Sequence, residues 1–149
     1  MDSLFFNEEH KMIQKMVRDF AEDEILPIAK ELDKNGNFPK EIVKKMGELG
    51  LMGINVPVKY GGSGLDMVAY VTAIIELAKA DASVAITMAA HTTLGTIPLL
   101  LFGNERLKKK YLPKIASGEM LSSLGLTEPN AGSDSGPMET IATKFGEKY

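Results

Sequence analysis

The sequence predicts a mainly α protein: an all-α helical domain over residues 1–118, followed by the first strands of an incomplete β domain over 119–149. Three observations predict it. Apolar residues recur at helical spacing through the first two-thirds of the chain, each run opened by a cap and closed by Gly or Asn. The pattern then changes to short apolar runs separated by Pro, Gly and Ser. With 149 residues, 44% hydrophobic and 25% charged, the chain is also large and apolar enough to bury a core.

The first helix opens at Asn7, a cap, with Glu8 and Glu9 where negative charge meets the positive end of the helix dipole. Ile13, Met16, Val17, Phe20, Ala21 and Ile25 keep one face apolar. Pro27 bends or interrupts this helix, and Lys34-Asn35-Gly36-Asn37 ends it. A second helix starts near Pro39, buries Ile42, Val43, Met46 and Leu49, and stops at Gly50. Residues 51–57 read as a short extended apolar run. In Gly61-Gly62-Ser63-Gly64, three glycines in four positions demand a turn. This loop invites a phosphate-binding assignment, but it lacks the G-x-G-x-x-G frame and no Lys follows at P-loop spacing, so a structural turn is favoured.

Asp66 caps a third helix carrying Val68, Val71, Ile74, Ile75, Leu77 and Ala78. Asp81 caps a fourth, which has no charged residue before Glu105. That uncharged stretch is long enough to cross a bilayer, yet Ser83, Thr87, His91, Thr92, Thr93, Gly95, Thr96 and Pro98 dilute it, and a helix enclosed by other helices is expected. Two successive helices without a wide polar face imply a bundle interior. Gly103-Asn104 stops the fourth helix and caps a fifth, which is apolar at Leu107, Tyr111, Leu112 and Ile115 and ends near Ser117-Gly118. Its Lys108-Lys109-Lys110 run is expected to be a solvated face. Residues 120–127 and 140–145 read as strands around a loop at 128–136, and a further strand begins at Lys148-Tyr149 after a turn at Gly146-Glu147.

Composition excludes several functions. Seventeen basic against 20 acidic residues give a net charge of −3, which gives no electrostatic support for nucleic acid. No cysteine is present, so disulfides, thiolate metal sites and a Cys nucleophile are excluded, which fits a reducing compartment without establishing one. His10 and His91 lie too far apart for a helical metal pair, so no metal site is expected. The acidic start lacks the basic segment and apolar run of a signal peptide, so a cytoplasmic location is expected.

Thr127-Glu128-Pro129-Asn130-Ala131-Gly132-Ser133-Asp134 is the segment most able to carry chemistry. Pro129 and Gly132 shape a loop after a strand, and its small residues present backbone N–H groups suited to a phosphate or to ring carbonyls and ring nitrogens. An Asx/Ser-stabilised turn is the simpler account of the same residues. His91, mid-helix among small residues with no acid or nucleophile beside it, is expected to be buried and structural rather than catalytic. Ile86, Ala90 and Leu94 form one stripe, either core packing or the floor of an apolar pocket.

Residues 49–53, 57–64, 103–105, 109–113, 116–119 and 126–134 resemble in collinear order the N-terminal part of an acyl-CoA dehydrogenase, closest to short-chain (butyryl-CoA) members. The resemblance implies an N-terminal helical domain, a middle β domain and a C-terminal four-helix domain, of which this chain supplies the first and the opening of the second. It implies FAD-dependent oxidation of an acyl-CoA to a 2-enoyl-CoA, with electrons passed to electron transfer flavoprotein, and a homotetramer built through the C-terminal domain. By position, Leu124, Leu126 and Thr127 match flavin-ring contacts, and Gly132 and Ser133 match residues near its pyrophosphate. Ser133 also matches a contact to the pantetheine arm of the substrate, and Ile86, Ala90 and Leu94 fall at the end of the acyl pocket. The family's catalytic glutamate and its second flavin-contacting segment match nothing in these residues, and Glu128 is not that base. No catalytic residue is therefore expected here, and the 149 residues alone are expected to be inactive. An acyl-CoA oxidase on the same scaffold, or a free-standing helical binding module, are the alternatives.

Overall fold

The computed structural model describes residues 6–146; the expected strand at Lys148-Tyr149 and the start of the chain lie outside the described residues. Seven α-helices are described: α1 (Glu8–Phe20), α2 (Leu26–Asn35), α3 (Lys40–Glu48), α4 (Met67–Ala80), α5 (Ala82–Ala90), α6 (Ile97–Phe102) and α7 (Glu105–Ala116).

The caps follow the sequence. Asn7 accepts from the His10 N–H at 2.9 Å while His10 Nδ1 accepts from the Asn7 N–H at 3.1 Å, a reciprocal box at the start of α1. Asp66, Asp81 and Asn104 cap α4, α5 and α7, each with a side-chain oxygen that accepts from a backbone N–H of the first turn. Gly36 leaves α2 at φ 62°, and Gly50 follows α3 at φ 76°.

Proline shapes two helices by one device. α1 and α2 are joined by a π-helical turn over Ala21–Ile25, and α5 and α6 by another over His91–Thr96. In the first, the Leu26 N–H reaches back five residues to the Ala21 carbonyl; in the second, the Ile97 N–H reaches Thr92. Pro27 and Pro98 come immediately afterwards, so the missing proline N–H falls where the hydrogen-bond ladder has already shifted register. Pro27 thus interrupts the first helix as expected, without ending it.

α4 packs between α1 and α5, and the core gathers Val17, Ile25, Met46, Met52, Leu77 and Met88. A smaller cluster of Val56, Tyr60, Leu112 and Ala116 holds α7 against the loop region. The run 51–57 is not extended as the sequence suggested; it is a buried series of turns. The reason lies in the glycine loop. The N–H groups of Ser63, Gly64 and Leu65 are donated to the carbonyls of Gly53, Val56 and Ile54, which folds the two segments onto each other. A Cβ at Gly62 would collide with the Val56 and Gly53 carbonyls, so this close approach requires glycine.

Two further expectations are corrected. α4 and the 82–102 helix are not wholly enclosed: Met67, Val71, Ile75, Ile86, Leu94 and Leu101 are exposed along one side. Their apolar circumference exceeds what the described residues can cover. Residues 120–127 and 140–145 do not form strands, and no strand occurs among the described residues. A strand exists only when a partner accepts its ladder, and here the segment 121–127 finds none. The continuous helix Ala82–Phe102 is, by length and composition, able to cross a membrane, and a third of its most apolar window is buried within the protein.

Candidate functional site

The extended segment and loop that follow α7 carry most of the residues singled out by sequence. Leu124, Leu126, Thr127, Gly132 and Ser133 are all exposed. Among the described residues no hydrogen bond uses the backbone N–H of Leu126, Thr127, Gly132 or Ser133, nor the hydroxyls of Thr127 and Ser133. A Cβ built at Gly125 or Gly132 meets nothing within 4 Å, so nothing in the described chain demands those glycines.

The rest of the loop closes on itself. Glu128 and Ala131 exchange backbone hydrogen bonds at 2.9 and 3.2 Å, with Ala131 buried beneath them. The Glu128 carboxylate accepts from the Glu139 N–H at 2.6 Å and the Thr140 N–H at 3.1 Å. Hydrogen bonding to Thr140 first, then Glu139, holds its pKa below the usual value, so it remains an acceptor that fastens the loop. Asn130 donates to the Glu139 carboxylate at 3.2 Å, and Asp134 accepts from the Gly136 N–H at 2.9 Å. The segment is thus both the Asx-stabilised turn of the simpler account and a display of free donors at 126, 127, 132 and 133.

The Gly61–Gly64 loop is a structural turn. Its N–H groups at 61 to 64 are all spent on carbonyls of Val58, Pro57, Gly53 and Val56, which leaves none for an anion. Ile86 and Leu94 are exposed, at 65% and 47%, with Ala90 half-buried between them; the stripe is therefore an open apolar surface and not core packing. His91 is buried at 2% exposure and fully hydrogen-bonded, as expected for a structural histidine, and burial lowers its pKa. The lysine run lies on the outer side of α7, with Lys109 and Lys110 exposed and Lys108 half-buried. Among the described residues no group of His, Cys, Asp or Glu is placed to hold a metal.

The sequence reading missed the partner that ties this segment to the helices. His91 meets Ser122, 31 residues away, and no local pattern marks that pairing.

Residues 7–119 match the family model for the acyl-CoA dehydrogenase N-terminal domain. The chain belongs to the acyl-CoA dehydrogenase family. It is 49% identical over 142 residues to an acyl-CoA dehydrogenase of Bacillus subtilis, covering 95% of this chain and 38% of that protein. Among solved structures, butyryl-CoA dehydrogenase from Megasphaera elsdenii superposes with a TM-score of 0.89 at 40% identity, over 98% of this chain and 39% of that one. An acyl-CoA dehydrogenase complexed with FAD from Bacillus anthracis gives a TM-score of 0.82 at 45% identity, over 88% of this chain and 23% of that one. The chain therefore spans less than two-fifths of the length of these acyl-CoA dehydrogenases.

Proposed function

We propose that these residues form the N-terminal part of an FAD-dependent acyl-CoA dehydrogenase that oxidises short-chain acyl-CoA to 2-enoyl-CoA and passes the electrons to electron transfer flavoprotein. The observation that carries this reading is the set of free donors on 126–133, displayed on a loop that the Glu128 carboxylate fastens to the amides of residues 139 and 140. Such a set fits a flavin with its pyrophosphate: amide and hydroxyl donors suit ring heteroatoms and phosphate oxygens, and open glycine positions admit close approach.

FAD, when bound, supplies the hydride acceptor for the β hydrogen of the substrate. The Leu126 N–H and the Thr127 hydroxyl would hold the ring, with Leu124 packing beside it, while Gly132 and Ser133 would face the pyrophosphate. Ser133 would also orient the pantetheine arm. Ile86, Ala90 and Leu94 would close the end of the acyl pocket against the terminus of the acyl chain. None of these residues takes the α proton. Glu128, the nearest carboxylate in sequence, is occupied by two backbone amides. Residues 1–149 alone are accordingly assigned binding surface without catalysis. Buried His91, Thr92 and Thr96, polar groups packed against the protein, support a surface-packed 82–102 helix in place of a bilayer span, and the absence of cysteine supports a cytoplasmic setting.

The test is spectroscopic. The whole protein containing these residues should purify with bound flavin, lose its oxidised flavin absorption anaerobically on addition of butyryl-CoA, and regain it slowly in air. Rapid reoxidation by oxygen would indicate the oxidase alternative. A colourless protein indifferent to butyryl-CoA would overturn the proposal.

A further inference from the structure

The geometry points to His91 as a positioning residue that, through Ser122, holds the segment bearing Leu124, Leu126 and Thr127 against the helical domain. The inference rests on the flavin-binding reading given above.

The hydrogen bonds fix the roles of both imidazole nitrogens. Nε2 lies 3.1 Å from the Met52 carbonyl and must carry the proton it donates there. Nδ1 is then an acceptor, and the Ser122 N–H points to it at 3.1 Å. The His91 carbonyl, in the π-helical turn, accepts from the Thr96 hydroxyl of the same turn at 2.7 Å and from the Ser122 hydroxyl, outside the helix, at 3.0 Å. Gly95 completes the seat: a side chain there would collide with Ser122. One imidazole, one carbonyl and one missing side chain therefore converge on a single serine.

That serine matters because the surrounding segment has little else. Between Met120, whose N–H bonds the Lys114 carbonyl, and Glu128, no other residue makes a described hydrogen bond. Leu126 lies four positions after Ser122, a reach of at most about 14 Å, so seating Ser122 restricts where the proposed ring contacts can lie. The anchor is directional, which apolar packing at position 91 would not be.

The test uses the holoenzyme and three variants. His91→Leu removes both hydrogen bonds; His91→Asn can present an oxygen near the Nδ1 position; Gly95→Ala leaves His91 intact and displaces Ser122 while favouring the helix. Loss of the seat should lower kcat about ten-fold or more and shift the bound-flavin absorption band in His91→Leu and Gly95→Ala. His91→Asn should stay within about three-fold of the parent. If His91→Leu fails to fold, Gly95→Ala decides. Folded variants with an unshifted band and kcat within about two-fold would overturn the inference. A purely structural role would lower the melting temperature and leave both readouts unchanged. Amide exchange separates this inference from the functional reading. In the 149-residue chain, with no flavin, the Ser122 amide should exchange about ten-fold more slowly than that of Ser123, and His91→Leu should abolish the difference. A flavin-free parent enzyme would defeat the functional reading, whereas equal exchange at Ser122 and Ser123 would defeat the tether.

Discussion

His10 Nε2 lies 3.0 Å from both carboxylate oxygens of Asp66, so one imidazole links the N-termini of α1 and α4. The same ring closes the capping box of α1 through Nδ1, and the same carboxylate caps α4 by accepting from the Ala69 N–H. Two helix starts, 56 residues apart in sequence, share one junction.

Asp66→Ala should therefore cost more than an ordinary cap, about 2 kcal/mol, because it also leaves buried His10 without its partner. Asp66→Asn preserves a capping oxygen and should cost less than half as much. Urea midpoints at unchanged slope measure both. Equal losses in the two variants would show that the His10 contact carries the energy, not the cap.

Glu76 supports the same α1–α4 contact from the middle. Burial acts to raise its pKa, but hydrogen bonds from Arg18, Lys79 and Gln14 outweigh that and lower it from 4.5 to about 2. A depressed carboxylate contributes stability above its unfolded value and loses it as pH falls through the folded one. Stability should thus decline between pH 4.5 and about 2. Glu76→Gln should cost on the order of 2 kcal/mol at neutral pH and flatten that acid limb. A variant curve parallel to the parent across this window would refute the assignment.

Two glycines should respond in opposite ways. Gly62→Ala forces a Cβ into the Val56 and Gly53 carbonyls and should cost about 3 kcal/mol or prevent folding. Gly132→Ala meets open space and should leave the melting temperature of the 149-residue chain unchanged within a degree or so. In the whole enzyme the same Gly132→Ala change should weaken FAD retention. Normal flavin content in that variant would remove Gly132 from the proposed cradle.

The uncovered side of α4 and the 82–102 helix should make the 149-residue chain self-associate. Phe102, at 86% exposure, and Leu101 extend that surface to the end of α6. Sedimentation should show concentration-dependent association, reduced by Leu101→Glu with Phe102→Glu. A monomeric, cooperatively melting parent chain would favour the free-standing helical module.

Local signals in the sequence were the dependable ones. Asn7, Asp66, Asp81 and Asn104 cap the helices they were expected to cap, because capping is decided within three or four residues. The sequence showed that α4 lacks a wide polar face, but it does not say how much of that apolar surface has a partner. Ile75 and Leu77 look equivalent in sequence and differ from half exposed to fully buried. The strands expected at 120–127 and 140–145 illustrate the same limit: their short apolar runs suit a strand, but a ladder depends on a neighbour that sequence spacing does not reveal. In the site, Thr127 to Asp134 announced a shaped loop, yet which donors were spent and which remained free depended on Glu128 reaching residues 139 and 140. The long-range pairs His10–Asp66, Arg18–Glu76 and His91–Ser122 left no trace in the sequence.

The clasp of Glu128 on the amides of Glu139 and Thr140 divides the labour of recognition unevenly. Residues 128–140 are shaped by their own bonds, so a ligand arriving at Gly132 and Ser133 meets a mould already set and spends little of its affinity on ordering it. Mutating Glu128 to glutamine should therefore slow capture of the phosphate end far more than it harms the helices beneath.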